Sequence, residues 1–172
     1  MSRPPTPVRV EIRQTRPFPS PAQEAGVGLM RTADVIRRAL AGVVEAEGIT
    51  HQQYNVLRIL RGSAPEPLPV LEIAARMIEQ TPGITRLLDR LEARGLVRRE
   101  RCRQDRRQVL CSISAAGRAA VGALDAPVER ALERGFALLG REDTRRLAEL
   151  LDRVRSGFRA HDDEDDPGAG TS

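Results

Sequence analysis

The chain has no lysine and no tryptophan, and its aromatic side chains are confined to Phe18, Tyr54, Phe136 and Phe158. All 28 lysine-or-arginine positions are therefore arginine. With so few aromatics among the cations there is no platform for unstacked bases, which argues against single-stranded RNA or DNA as a partner. Guanidinium forks match phosphate and guanine edges in fixed geometry, so double-stranded DNA suits the composition better. Cysteine is nearly absent too. Cys102 and Cys111 are too far apart for a CxxC ligand pair, and His51 and His161 are farther still, so no metal site is expected. The start, MSRPPTPVRV, is polar and proline-rich where a secretory leader is apolar. With only two cysteines, this reads as a protein of the reduced cytoplasm. No apolar run nears the roughly 18 residues of a membrane span. A Gly-rich phosphate loop, a Ser/His/Asp arrangement and carboxylates clustered in a structured segment are also missing. Neither an enzyme nor a cofactor is expected.

What is present suits one globular domain: 172 residues, 40% of them hydrophobic and 30% charged. The formal net charge of +4 understates a local asymmetry. From Arg98 to Arg107 the run RRERCRQDRR holds six arginines against two acids, whereas DDEDD from Asp162 to Asp166 is wholly acidic and masks the basicity elsewhere.

Residues 1–19 read as a largely disordered or extended arm. Ser20-Pro21-Ala22-Gln23 opens a helix with a Ser N-cap, Pro at the first position and Gln closing a capping box. Leu29, Ala33, Ile36, Leu40 and Val43 keep its helical spacing until Gly48. Thr50-His51-Gln52-Gln53 is a second capping box, followed by Val56, Leu57 and Leu60 on one face. Two short helices follow, Val70 to Met77 and Thr81 to Arg94, the second capped by Thr81 with Pro82 at its first position and Gly95 at its end. Leu96 to Cys102 and Gln108 to Ile113 alternate as strands. Ser114 caps a long helix that Pro127 is expected to kink or split. A final helix, from about Arg141 to Arg159, aligns Leu147, Leu150, Leu151 and Val154. One folded domain is expected over residues 20–159, with a disordered acidic tail over 160–172. The fold class is mostly α with a small β-wing.

Leu68 to Gly117 carries the function. Two short helices, an arginine-loaded hairpin and the start of a third helix are the parts of a winged helix-turn-helix, which sets one helix in a DNA groove and grips the backbone beside it. In the second helix Ile84, Leu87, Leu88 and Leu91 face the core, leaving Gly83, Thr85, Arg86, Asp89, Arg90 and Ala93 outside. Its first turns offer the Thr81 and Thr85 hydroxyls and the Arg86 fork to a major groove; Gly83 allows close approach, and the helix N-terminus favours phosphate. The hairpin tip Arg103-Gln104-Asp105-Arg106-Arg107 places cations at a second contact, with Asp105 pairing one arginine to fix its direction. An amphipathic helix with a solvated face, or a charged hairpin, is ordinary by itself. Their succession in this order is what is specific.

The stretch LEIAARMIEQTPGITRLLDRLEARGLVRRERCRQDRRQVLCSISAAG resembles the MarR family of bacterial regulators. The likeness rests on TPGITRLLDRLE, on the GLV-R strand, on the Asp105-Arg106-Arg107 wing and on a closing I-S-x-x-G where that family usually has L-T-x-x-G. QYNVLRILRG and TRPFPSPAQEA upstream are also similar to it. The resemblance implies a homodimer built by the N- and C-terminal helices, with two winged lobes on successive major grooves. It implies that Thr81, Pro82, Gly83, Thr85 and Arg86 read the major groove and that Arg106 or Arg107 enters the minor groove. Apolar chain ends at helical spacing independently call for a partner, and a two-fold dimer predicts a pseudo-palindromic operator with half-sites roughly 10 bp apart.

Members of that family commonly bind small phenolic or amphipathic effectors between the dimer helices and the DNA lobe. His51, Tyr54 and Arg58 are the candidate lining, the alternative being a core Tyr54 with solvated neighbours. Cys102 and Cys111, on the two wing strands, would face each other and permit a redox disulfide if the tip is about four to six residues wide. The reading preferred is a buried, inert Cys111 and a chance surface thiol at Cys102. The function expected is a sequence-specific double-stranded DNA-binding regulator, a repressor released by a small effector. Its rivals are a winged-helix protein-interaction module and a sequence-neutral architectural DNA-binding protein.

Overall fold

The computed structural model describes residues 6–79, 82–102 and 104–165, and the chain forms two compact units, Met1–Ala131 and Leu132–Ser172. The first begins with a single turn of helix, α1 (Val8–Glu11), in the arm expected to be extended; the Glu11 carboxylate lies 3.3 Å from Arg31 Nε. Arg31 belongs to α2 (Pro21–Glu45), whose first turn is held by the Ser20 hydroxyl accepting the Gln23 N–H at 3.2 Å. In front of α3 (His51–Ser63) the capping box is complete. Thr50 Oγ1 accepts from Gln53 N–H at 3.2 Å, and Gln53 Oε1 accepts from Thr50 N–H at 2.9 Å.

A short strand β1 (Leu68–Pro69) leads into α4 (Val70–Arg76), then α5 (Ile84–Ala93), the hairpin β2 (Val97–Arg101) and β3 (Val109–Ile113), and α6 (Ala115–Phe136). The sheet is antiparallel in the order β1-β3-β2, so β3 is central. Val56, Leu57 and Leu60 of α3, Ile73 of α4, Leu87, Leu88 and Leu91 of α5, Val97, Cys111 and Ile113 of the sheet, and Val121 and Leu124 of α6 are buried together. Each buried Leu or Ile contributes about 1.5–3 kcal/mol of transfer free energy. α5 is thus fixed along one stripe, which decides the face it offers to solvent.

Several expectations need correction. α5 starts at Ile84, because Gly83 sits at its N-cap in the left-handed region with φ 90°, where a residue cannot continue a right-handed helix and only glycine stays unstrained. Pro82 therefore lies in the turn before the helix rather than at its first position, and Thr81, expected as the cap, lies outside the described residues. Pro127 does not split α6, which runs through it unbroken. Proline forfeits one N–H bond, to the Ala123 carbonyl, and the buried Leu124 and Val128 beside it hold the turn in place.

The second unit contains the end of α6 and α7 (Arg141–Asp165), which extends into the segment expected to be disordered; residues 166–172 of the acidic tail lie outside the described residues. On α7, Leu150, Val154 and Phe158 share a face and are exposed. Among the described residues no helix is long and apolar enough to cross a membrane.

Candidate nucleic-acid interface

Thr85, Arg86 and Arg90 are exposed on the outer face of α5, and Pro82 and Gly83 precede them at its start. Asp89 shares that face but is turned toward the wing. Arg99 of β2 donates from Nη1 to Asp89 Oδ1 at 2.6 Å, and its Nε lies 3.0 Å from Glu92 Oε2, an ion pair without hydrogen-bond alignment. One arginine of the basic run is thereby committed inward and neutralises two acids of α5. The alternation of β2 explains the choice, since Arg99 lies on the same side of the strand as the buried Val97. No ion pair reaches Arg86, Arg90, Arg98, Arg101, Arg106 or Arg107 among the described residues, and all six are exposed. Arg103 lies outside the described residues.

The tip is built differently from the expectation. Asp105 caps the turn and, among the described residues, meets no arginine side chain: Oδ1 accepts the Arg107 backbone N–H at 3.0 Å and Oδ2 accepts the Gln108 amide at 3.1 Å. The Gln108 N–H closes the turn on the Asp105 carbonyl at 2.9 Å. Asp105 therefore orients the wing through its backbone, leaving the Arg106 and Arg107 guanidinium groups clear of it.

That turn also fixes the register, and the register separates the cysteines. Cys111 pairs with Arg99 on β2 and Leu68 on β1, whereas the Cys102 N–H donates to the Gln108 carbonyl at 3.0 Å. For the two to face each other, everything from Arg103 to Leu110 would have to lie in the tip. Cys111 is 0% exposed and burial pushes its thiol up to about 11, against the pull of Arg99. A maleimide should accordingly modify native protein at Cys102 alone, with Cys111 reacting only after denaturation, as mass spectrometry of the labelled peptides would show. A labelled Cys111 in folded protein would contradict the pairing of Cys111 with Arg99 and Leu68.

Tyr54 is a core residue. The Arg58 guanidinium lies 5.8 Å from its ring centroid, and burial raises the phenol pKa while Arg58 lowers it. Next along α3, Arg61 grips Asp125 of α6 through two 2.8 Å bonds, which lower the Asp125 pKa. His51 is half-buried at the start of α3. The three residues expected to line an effector site thus share α3, with Tyr54 closed off under Arg58. An open concavity lies elsewhere in the lobe, between α4, α5 and the wing. It measures about 510 Å³ and includes Val70, Leu71, Thr85, Arg107 and Val109. Sequence reasoning missed it, because α4 carries no charged or aromatic signal apart from Glu72 and Arg76.

Residues 49–109 match the model of the MarR family. The HTH-type transcriptional regulator TtmR of Methylorubrum extorquens is 39% identical over 93 residues, 54% of this chain, and the match spans about half of that relative, 47%. A MarR transcription factor from Planctomyces limnophilus, of known crystal structure, is 37% identical with a TM-score of 0.61, covering 79% of this chain and 98% of its own. The transcriptional repressor CouR, solved bound to a 23-mer DNA duplex, is 29% identical with a TM-score of 0.68, covering 76% and 91%.

Proposed function

The chain belongs to the MarR family of transcriptional regulators, and from that premise we propose that it is a homodimeric repressor that occupies a pseudo-palindromic operator and is released by a small amphipathic molecule. One observation carries the DNA-binding half of this reading: exposed arginines with no ion pair among the described residues stand on both α5 and the wing, while Asp89, Glu92 and Asp105 are turned to other partners. Arg86 and Arg90 on the helix, with Thr85, form the element that reads bases. Arg106 and Arg107 on the wing form the element that grips phosphate and the minor groove. The exposed stripe Leu150, Val154 and Phe158 on α7 supports pairing with a second copy, because an isolated helix gains nothing from showing it to water. Two-fold symmetry then sets the half-sites about one helical turn, roughly 10 bp, apart. This is a regulator rather than an enzyme, acting where the genome it controls lies.

Fluorescence anisotropy of the full chain with the duplex upstream of its own gene, against a random duplex and across a salt series, tests this. We expect tighter binding to the upstream duplex by roughly 4 kcal/mol or more, with log K falling linearly in log salt. Arg106→Ala should weaken both complexes and flatten the salt slope by about one. Equal, salt-steep affinity for both duplexes would leave a sequence-neutral architectural protein, and no binding at low salt would leave a protein-interaction module.

A further inference from the structure

Gln53, Asn55 and Ser114 are the buried polar side chains of the described residues. Gln53 completes the capping box of α3, and Ser114 ties the start of α6 to Gly95. Asn55 has no such local duty. It is 7% exposed, on a helix that also buries Val56, Leu57 and Leu60. An amide buried without a partner costs stability, where a leucine of similar size would contribute it. The partner of Asn55 is distant in sequence: Oδ1 accepts the Ile78 N–H at 3.4 Å.

Ile78 opens the turn between α4 and α5. α4 stops because Met77 is extended, with ψ 140°, which swings the following N–H away from the carbonyls of the helix. That N–H needs a partner from elsewhere, and Asn55 supplies it. The Ile78 side chain is exposed, so it gives the turn no apolar anchor. Glu79 beside it lies 3.7 Å from Arg37 Nε of α2, but both side chains are half-exposed and such pairs hold little. At the far end of α5, Arg94 Nη1 donates to the Gly48 carbonyl, between α2 and α3, at 2.7 Å. The turn before α5 and the residue that ends it are thus both bonded to the α2–α3 pair.

We propose that Asn55 is a positioning residue for base reading, its bond to Ile78 setting the turn from which α5 enters the major groove. The inference rests on the DNA-binding reading above and assigns a part in it to a buried residue that touches no DNA. Leu87, Leu88 and Leu91 hold α5 to the core, but apolar contact is non-directional and tolerates a slide along the helix axis. A hydrogen bond has a preferred length and line. Asn55 therefore supplies what the stripe lacks, at the end of α5 that carries Thr85 and Arg86. The consequence is selective. A bidentate arginine–guanine contact needs two N–H groups aligned with two acceptors, so a displaced first turn loses it. Phosphate contacts from the wing carry no sequence information and do not depend on that turn. Loss of the Asn55 acceptor should erode preference for the operator and leave the non-specific grip in place.

Anisotropy of the full-length chain with the upstream and random duplexes tests this, for wild type, Asn55→Leu, Asn55→Ser and Asn55→Asp, each alone and combined with Arg86→Ala. Asn55→Leu keeps the volume and removes the acceptor. It is expected to lower the ratio of upstream to random affinity about tenfold, within what one bidentate base contact is worth. Its affinity for random duplex and its salt slope stay at the wild-type values, and its melting temperature does not fall. Asn55→Ser, too short to reach Ile78, repeats the loss of preference and keeps the test decisive if the leucine variant does not fold. Asn55→Asp retains an acceptor at the same reach and keeps most of the preference. Because Asn55 acts through the helix that carries Arg86, Arg86→Ala should remove less preference from Asn55→Leu than from wild type. Hydrogen exchange followed by NMR should find the Ile78 amide of wild type protected although its side chain is exposed. A purely structural part for Asn55 gives another pattern, a lower melting temperature with equal loss on both duplexes. That pattern, strictly additive losses with Arg86→Ala, or an Ile78 amide that exchanges freely would overturn the proposal while the DNA reading stands. A wild type without preference for the upstream duplex removes the sequence-specific reading, and this inference with it.

Discussion

Gly117→Ala should lower the unfolding free energy by about 3 kcal/mol, the upper part of the range for overpacking a core. Its neighbour in the same helix, Gly122→Ala, should raise it by roughly 0.5–1 kcal/mol. The pair isolates the cause. A Cβ on Gly122 meets no atom within 4 Å, so alanine brings only its better helix propensity. A Cβ on Gly117 would come 2.1 Å from the Leu96 carbonyl oxygen and 2.9 Å from Ile113 Cγ1. The Leu96 carbonyl cannot withdraw freely, because it accepts the Ser114 N–H at 3.1 Å. Ser114 is tied in turn: its hydroxyl donates to the Gly95 carbonyl at 2.6 Å and accepts the Gly117 N–H at 2.9 Å. Gly95 and Leu96 form the turn between α5 and the wing, so a displacement there also re-aims the two DNA-contacting elements. Urea unfolding of both variants measures the effect. Equal stability of Gly117→Ala and wild type would mean that α6 does not start in contact with that turn.

Local chemistry made most of the elements legible and little of their mutual bonding. Thr50 and Gln53 define a helix start by themselves, since the capping box is a reciprocal bond between residues three apart; at Ser20 only one half of the expected box forms, the hydroxyl accepting the Gln23 N–H, with Pro21 at the first position. The stripe Leu87, Leu88 and Leu91 shows which side of α5 is outward because its period needs no tertiary information. Gly83 is different. Its left-handed φ is set by how the turn must join α4 to α5, and the sequence TPG suits a helix start as readily as a turn. Arg99 is counted with the other arginines of its run until β2 is seen to place it over Asp89 and Glu92, although strand alternation from the buried Val97 already points it inward. The cysteine register was likewise open to arithmetic, because the Cys102–Gln108 pairing that closes a short tip sets Cys111 opposite Arg99. Gly117 is visible in advance as the end of the I-S-x-x-G motif, but why a glycine must stand there depends on what lies across from it in space.

Arg86→Ala should cost about 1–3 kcal/mol on the operator duplex, a loss of roughly five- to 150-fold, and distinctly less on random duplex. The side chain lies in the first turn of α5, exposed and without an ion pair among the described residues. A cation in the first turn opposes the helix macrodipole, which costs about 0.3–1 kcal/mol. Removing it therefore does not weaken the fold, so any loss of binding belongs to the interface. This separates Arg86 from Arg106: the first should change which sequence is preferred, whereas the second should change how tightly any sequence is held. The two stand on separate elements and share no partner, so the double variant should lose the sum of the single losses within about 0.5 kcal/mol. Anisotropy with single-base-pair substitutions across the operator locates the contact, since Arg86→Ala should stop discriminating at one or two base pairs per half-site and continue to discriminate elsewhere. Equal loss on operator and random duplex, with every base preference retained, would move base reading away from Arg86 and leave it as one more phosphate contact.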